Sequence, residues 1–284
     1  MFKKIFFAAA LLLASELGAK PVVIASIAPV EYLAKAVGGD KIEVQSLAKG
    51  DVHSYEPKPN DMKAVAKARI FIAAGLEFEE AWIPRFKASA KNLVVVKSDA
   101  KIAKLKEERG EQVEHDEKHE AHADPHVWLN PMLAITMARN ISDALIDMDK
   151  ANKDFYLENF QKLMNDLLAF DESAKNELAG LKNRKFVVYH PAWGYFAAHY
   201  DLEQISIERS GKEPKIDEMA STLKMIKDEN IKVIFADPNR SQKSAQILAS
   251  HTGAKVELLD PLGYNLLENL KIAVGAIKDA NSPK

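Results

Sequence analysis

Short runs of apolar, mostly β-branched residues alternate along the chain with longer amphipathic stretches. Runs of four to six residues are typical of buried strands, and their alternation with helical stretches is typical of parallel sheets flanked by helices. The sequence therefore predicts an α/β protein with two similar lobes, each a small, mostly parallel sheet flanked by helices. The predicted strands cover residues 22–26, 42–47, 70–73 and 93–96 in the first lobe and 186–189, 204–207, 233–236 and 256–259 in the second. The predicted helices cover residues 30–37, 61–68, 193–199, 216–229 and 241–252.

A long proline-free stretch separates the two lobes. Residues 152–181 contain a single glycine, Gly180, and their apolar positions recur at spacings of three and four, which places them on one helical face. Such a helix is about 40 Å long and can run along both lobes, although an ordinary helix of one lobe fits the pattern too. We expect one long, rigid connecting helix at 152–181 between an N-terminal lobe at 20–151 and a C-terminal lobe at 182–284.

The first 19 residues have the build of a secretory signal peptide. Lys3 and Lys4 precede an apolar run at 5–13, and the small residues Gly18 and Ala19 end the segment. The apolar run is too short to span a bilayer as a stable helix. We therefore predict a signal peptide at 1–19 and a soluble mature chain outside the cytoplasm.

Charge and cysteine content exclude several classes of function. The 284 residues include 39 Lys and Arg against 41 Asp and Glu, a formal net charge of −2, and no long basic run offers a surface for nucleic acid. The chain has no cysteine, which excludes disulfides, thiolate metal sites and thiol catalysis. Any bound metal must therefore be held by His, Asp or Glu.

Four potential metal ligands follow predicted strands or lie in proline-containing turns. His53 lies beyond the second strand, His126 lies in a turn well after the fourth, and His190 directly follows the fifth. Asp260 directly follows the last strand. Because loops at the carboxyl ends of parallel strands face the binding crevice of such folds, we expect these side chains to converge. Three imidazoles and a carboxylate favour Zn²⁺, while Mn²⁺ and Fe remain possible.

The sequence leaves the roles of several other polar residues open. The charged segment 101–124 carries His115, His119 and His122 at helical spacing, and it either collects metal loosely or is a solvated loop whose histidines have no particular role. Asn239 and Arg240 follow the seventh strand, where they either line the crevice or cap the next helix.

Four motifs resemble those of one known family. These are the Asp51-Val52-His53-Ser54-Tyr55-Glu56-Pro57 turn, the Asp124-Pro125-His126-Val127-Trp128 run, the run from His190 to Phe196 and the closing Leu259-Asp260-Pro261-Leu262-Gly263. Together they make the chain similar to the periplasmic zinc- and manganese-binding subunits of bacterial ABC importers, the ZnuA-like cluster A-I solute-binding proteins. The likeness covers nearly the whole mature chain.

The resemblance implies two lobes joined by one long helix, with the metal buried between them and held by His53, His126, His190 and Asp260. Manganese-type members usually carry glutamate at the third position, so His190 points to zinc. We therefore expect a periplasmic, monomeric, non-enzymatic protein that captures Zn²⁺ and delivers it to an inner-membrane ABC permease and binds no nucleic acid. The alternatives are a manganese or iron binder of the same class, a zinc-dependent hydrolase, a binder of metal chelates or cobalamin, and an adhesin. Water could replace Asp260 as the fourth ligand.

Overall fold

The computed structural model describes residues 20–106, 123–208 and 216–281. The predicted signal peptide at 1–19 lies outside these ranges, as do His115, His119 and His122. Within the described ranges, no helix is long and apolar enough to cross a membrane.

The first lobe is built on a four-stranded parallel sheet with the strand order β2-β1-β3-β4. The chain leaves β1 for β2 on one side and later adds β3 on the other, so the order reverses between β1 and β3. Crevices at such a reversal are where ligands bind in open α/β sheets. The elements of this lobe are β1 (Val22–Ala25), α1 (Ala28–Gly38), β2 (Glu43–Ser46), α2 (Pro59–Val65), β3 (Ile70–Ala73), α3 (Glu77–Ser89), β4 (Val94–Lys97) and α4 (Pro131–Met148).

The second lobe repeats this arrangement with a parallel sheet in the order β6-β5-β7-β8. Its order reverses between β5 and β7, at the position equivalent to the reversal in the first lobe. The elements are β5 (Lys185–Val188), α6 (Gly194–His199), β6 (Glu203–Ser206), α7 (Ile216–Asp228), β7 (Val233–Ala236), α8 (Lys243–Thr252), β8 (Lys255–Leu258) and α9 (Leu266–Asn281).

All eight predicted strands are present, each within one or two residues of its expected bounds, and the two-lobe α/β fold is confirmed. The helices α3, α4 and α9 were not among those predicted. In α3 the signal is weakened by Pro84, which lies inside the helix. In α4 the start signal is conventional, because Pro131 occupies the first turn and the Asn130 side chain accepts hydrogen bonds from the backbone N–H groups of Met132 and Leu133.

A single long helix, α5 (Lys153–Ala179), connects the two lobes. Its 27 residues extend about 40 Å, as the sequence predicts. It packs against α1 and α4 of the first lobe and α9 of the second. One continuous cluster of buried apolar side chains includes Leu33 of the first lobe, Leu167 of α5 and Leu270 of the second lobe. The lobes therefore share a core, and moving them apart would expose apolar surface.

Candidate metal centre

Three histidines from the two lobes meet in the cleft between them. One ring nitrogen from each of His53, His126 and His190 lies within 4.8 Å of the other two. The Nε2 atoms of His53 and His190 are 3.1 Å apart. The ring centroids are separated by 4.9, 5.3 and 5.6 Å. Two imidazole nitrogens at 3.1 Å need either a proton or a cation between them, so this geometry suits a bound metal ion.

A tight turn after β2 presents His53. Gly50 has a positive φ of 83°, which an L side chain would strain, and it leads the chain into this turn. The Asp51 carboxylate accepts hydrogen bonds from the backbone N–H of His53 at 3.1 Å and from the Ser54 hydroxyl at 3.2 Å. Asp51 thus acts as a local turn residue that fixes the backbone from which the exposed His53 reaches the other two rings.

A carboxylate orients the buried His126. Asp124 Oδ1 lies 2.8 Å from the His126 Nδ1 atom and also accepts the backbone N–H of His126 at 2.9 Å. Because Nδ1 donates to Asp124, the Nε2 atom keeps its lone pair for a metal. The next residue but one, Trp128, is fully buried, with its ring centroid 5.3 Å from that of His126. Its Nε1–H donates to the carbonyl of Pro261 at 2.8 Å, which joins the first lobe to the second.

The charged segment 101–124 forms a paired stem beside His126. Lys106 and Ala123 form an isolated antiparallel bridge. Asp124 N–H donates to the carbonyl of Leu105 at 2.9 Å. The Tyr195 hydroxyl, from the second lobe, accepts the Leu105 N–H and donates to the Asp124 carbonyl, both at 2.8 Å. The backbone on both sides of residues 107–122 is therefore anchored to the body of the protein.

A second carboxylate orients His190. This histidine is separated from β5 only by Tyr189, and its Nδ1 atom lies 2.9 Å from Glu208 Oε2. Glu208 also accepts a hydrogen bond from Arg240 at 2.7 Å through its other oxygen. Sequence reasoning missed Glu208, although it follows the end of β6 just as His190 follows the end of β5. The position of Arg240 answers the question left by the sequence, because its side chain lies in the crevice.

Asp260 is positioned near this network but does not join the histidine group. Within the described ranges, the group whose ligand atoms all lie within 4.8 Å of one another comprises the three histidines without Asp260. Asp260 Oδ1 accepts hydrogen bonds from Asn239 Nδ2 at 2.7 Å and from the backbone N–H of Leu262 at 2.9 Å. Asn239 therefore holds the predicted fourth ligand, and the structure brings together three of the four expected side chains.

The environment of the cleft favours neutral imidazoles. Loss of solvation, with smaller effects of His126, His53 and Arg240, lowers the pKa of His190 well below its usual range. Desolvation, with smaller effects of His126 and Arg240, lowers the pKa of His53 to about 4. His190 is buried, whereas His53 is exposed and remains in contact with solvent. Neutral imidazole is the form that binds metal.

Two α/β lobes on a shared helix, with imidazoles from both lobes meeting in the cleft, are the features of a metal-binding solute-binding protein. The chain belongs to the family described as zinc-uptake complex component A, periplasmic, whose family model matches residues 23–280. It is 30% identical to the high-affinity zinc uptake system protein ZnuA of Bacillus subtilis (strain 168), an alignment that covers 93% of this chain and 88% of that protein.

Solved structures agree with this assignment. A crystal structure of ZnuA superposes with a TM-score of 0.86 at 35% identity, covering 92% of this chain and 99% of that chain. A ZnuA deletion mutant with zinc bound gives a TM-score of 0.85 at 34% identity, covering 93% of this chain and 99% of that chain. The predicted family and the predicted fold are therefore both confirmed.

Proposed function

We propose that His53, His126 and His190 are the residues with which this member of the zinc-uptake family captures Zn²⁺ and holds it for delivery to an ABC permease. The observation that carries the proposal is the meeting of three ring nitrogens within 4.8 Å of one another, where the two lobes face each other. The ion is cargo, so the site must bind it firmly and also release it.

The donor set favours zinc over manganese. Imidazole nitrogen suits zinc, copper, nickel and iron, whereas manganese prefers sites richer in carboxylate and water oxygen. Two of the three rings also have a carboxylate on their far nitrogen, Asp124 for His126 and Glu208 for His190. This arrangement fixes the tautomer and raises the basicity of the ligand. A manganese or iron cargo remains the alternative within the same class.

Asp260 is our proposed fourth ligand, with a water molecule as the alternative. A carboxylate has about four lone-pair sites on its two oxygens, so the two hydrogen bonds that Oδ1 accepts leave capacity for an ion. Three nitrogens and one oxygen would complete the tetrahedral set that zinc prefers. Such a closed site has no open position for a reacting water, which supports transport over hydrolysis.

Location and partners complete the proposal. The family is periplasmic, and the signal peptide predicted at 1–19 supports the same location for this chain. The partner for release is an ABC permease in the inner membrane. We propose that the protein works as a monomer, has no enzymatic activity and binds no nucleic acid, in keeping with its net charge of −2.

Competition calorimetry on the metal-stripped protein tests the function. We expect one Zn²⁺ per chain with a Kd in the nanomolar range or tighter, which corresponds to about −12 kcal/mol or more, and much weaker binding of Mn²⁺. Preferential binding of Mn²⁺, or failure to retain Zn²⁺, would contradict the zinc assignment. Zinc-dependent turnover of ester, peptide or phosphate substrates at ordinary enzymatic rates would support the hydrolase alternative instead.

Acidification should weaken zinc binding less steeply than it would for a site of three free imidazoles. Protons compete with zinc for the ligands, and desolvation lowers the pKa of His190 and of His53 below 6.5 in the ion-free protein. We therefore expect zinc affinity to fall less between about pH 7 and 5 than for three ordinary imidazoles, and to fall further nearer pH 4, where His53 takes up a proton. Chelator competition across this range measures the profile. A steep loss of affinity centred near pH 6.5 would show that the rings titrate like free histidines.

A further inference from the structure

We propose that Arg240 is a positioning residue of the metal centre, acting through Glu208 to fix the ring of His190. The inference rests on the proposed function, in which His190 is a zinc ligand. Arg240 is a cation close to a cation-binding site, where its positive charge alone would oppose binding.

The three residues follow three adjacent strands, at the carboxyl end of the second sheet. Glu208 follows β6, His190 follows β5 and Arg240 follows β7, and these strands are neighbours in the order β6-β5-β7. Backbone bonds continue past the strand ends, from Glu208 N–H to the Tyr189 carbonyl at 2.8 Å and from Tyr189 N–H to the Phe235 carbonyl at 2.7 Å. The backbones of Glu208 and Tyr189 are therefore fixed, which leaves the side-chain torsions to be set.

Each oxygen of the Glu208 carboxylate contacts a different partner. Oε1 accepts a hydrogen bond from the Arg240 guanidinium at 2.7 Å, and Oε2 lies 2.9 Å from His190 Nδ1. The Glu208 side chain is only 3% exposed, so water does not substitute freely for either partner. Arg240 thus holds one oxygen and thereby orients the other toward the imidazole. Without Arg240, the carboxylate would lose the ion pair that holds Oε1 and, with it, one restraint on the direction of Oε2.

The orientation matters because it decides which nitrogen of His190 carries the proton. With Nδ1–H donating to Glu208, the lone pair is on Nε2, the atom 3.1 Å from His53 Nε2. Arg240 also has a guanidinium nitrogen 3.1 Å from His190 Nδ1, and it can donate there only when Nδ1 carries no proton. That tautomer has its proton on Nε2 and cannot bind metal through it. The charge-assisted bond to Glu208 favours the metal-binding tautomer.

A turn after β7 fixes Arg240 itself. Its backbone N–H donates to the Asp237 carbonyl at 3.2 Å, and the Asp237 side chain accepts the backbone N–H of Asn239 at 2.8 Å. The Arg240 side chain is 17% exposed, so most of the guanidinium is enclosed by the crevice. Arg240 therefore has a fixed starting point and little freedom to leave Glu208.

Two explanations of Arg240 predict opposite results. If Arg240 positions Glu208, its loss loosens His190 and weakens zinc binding. If it acts only as a nearby positive charge, its loss removes repulsion and strengthens zinc binding. A third possibility, a purely structural role, would change thermal stability and leave the His190 tautomer as it was.

The test compares zinc affinities of the stripped mature protein and its variants by chelator competition. We expect Arg240→Gln to lose about tenfold, Arg240→Lys to lose less because it keeps a donor to Glu208, and Glu208→Gln to lose about 10- to 100-fold. Because Arg240 acts through Glu208, the double variant should bind zinc no more weakly than Glu208→Gln alone. Arg139→Gln is the matched control, since Arg139 forms an exposed ion pair with Asp143 on α4 and should leave affinity unchanged.

The ¹⁵N NMR signals of His190 in the ion-free protein give the second readout. We expect the Nδ1–H tautomer in the wild type and the Nε2–H tautomer in Glu208→Gln, where Arg240 can donate to Nδ1. Unchanged or tighter zinc binding in Arg240→Gln, additive losses in the double variant, or an unchanged tautomer in Glu208→Gln would each overturn the inference. If Arg240→Gln does not fold, Arg240→Lys and the Glu208→Gln tautomer still decide it. Failure of the wild type to retain zinc would instead refute the proposed function.

Discussion

Replacing His190 with alanine should lower zinc affinity by more than about 100-fold, a larger loss than removal of a residue that only orients a ligand. His190 supplies one of the three converging nitrogens and is only 6% exposed, so water cannot readily take its place. Calorimetry or chelator competition on the stripped variant measures the loss. His251→Ala is the control, because His251 is exposed in the last turn of α8 and should be silent. Unchanged affinity in His190→Ala would remove the basis of the site.

The same titration resolves the fourth ligand. Asp260→Asn keeps an oxygen that can accept from Asn239 and Leu262 but removes the negative charge. If Asp260 binds the ion, we expect a loss of at least about tenfold, or 1.4 kcal/mol. An unchanged affinity would assign the fourth position to water.

Replacing Trp128 with alanine should destabilise the protein by about 3–5 kcal/mol. Trp128 is fully buried, packs beside His126 and donates a hydrogen bond to Pro261 in the other lobe. Its removal would leave a large cavity where the lobes meet and an unpaired carbonyl. Thermal unfolding of the stripped protein should shift down by on the order of 10 °C.

Two further variants show what the loss at Trp128 means. Trp128→Phe keeps most of the volume and should cost less than Trp128→Ala, the difference reporting the packing contribution. Trp82→Ala, at a partly buried position on α3, provides a comparison outside the lobe contact. A loss below about 1 kcal/mol for Trp128→Ala would mean that the cavity collapses or that the lobes do not depend on this contact.

The central strands β1, β3, β5 and β7 were predictable because they are short, nearly continuous apolar runs that end up buried. The outer strands β2, β6 and β8 are more exposed and were predictable from their alternating apolar and polar positions. The approach of His53 and His190 was predictable for a related reason, since each follows a parallel strand and the loops after such strands face the crevice. His126 lies well after β4, and only its proline-containing turn suggested that it would join them. Glu208 and Arg240 could not be found in this way. Their contact depends on β6 and β7 both lying beside β5, and the sequence alone does not give the strand order.

Long-range side-chain contacts were also beyond the sequence. The bond from Trp128 to Pro261 joins residues 133 positions apart, and nothing in either segment indicates the partner. Asp124 was visible as part of its motif, but its role in orienting His126 follows only from the contact between the two side chains. The position of Asp260 after β8 was predictable. The hydrogen bond that it accepts from Asn239 was not, because it depends on the turn that carries Asn239.

The paired stem at Lys106 and Ala123 makes the segment between these two residues suitable for replacement by another sequence. Lys106 and Ala123 are paired, and Tyr195 bonds to Leu105 and Asp124 next to them, so residues 107–122 could be replaced by a short hairpin turn at little entropic cost. His126 would keep its backbone support in such a chimera. The same junction could accept a fluorescent or affinity module, which would place a reporter a few residues from His126 without altering any of the proposed ligands.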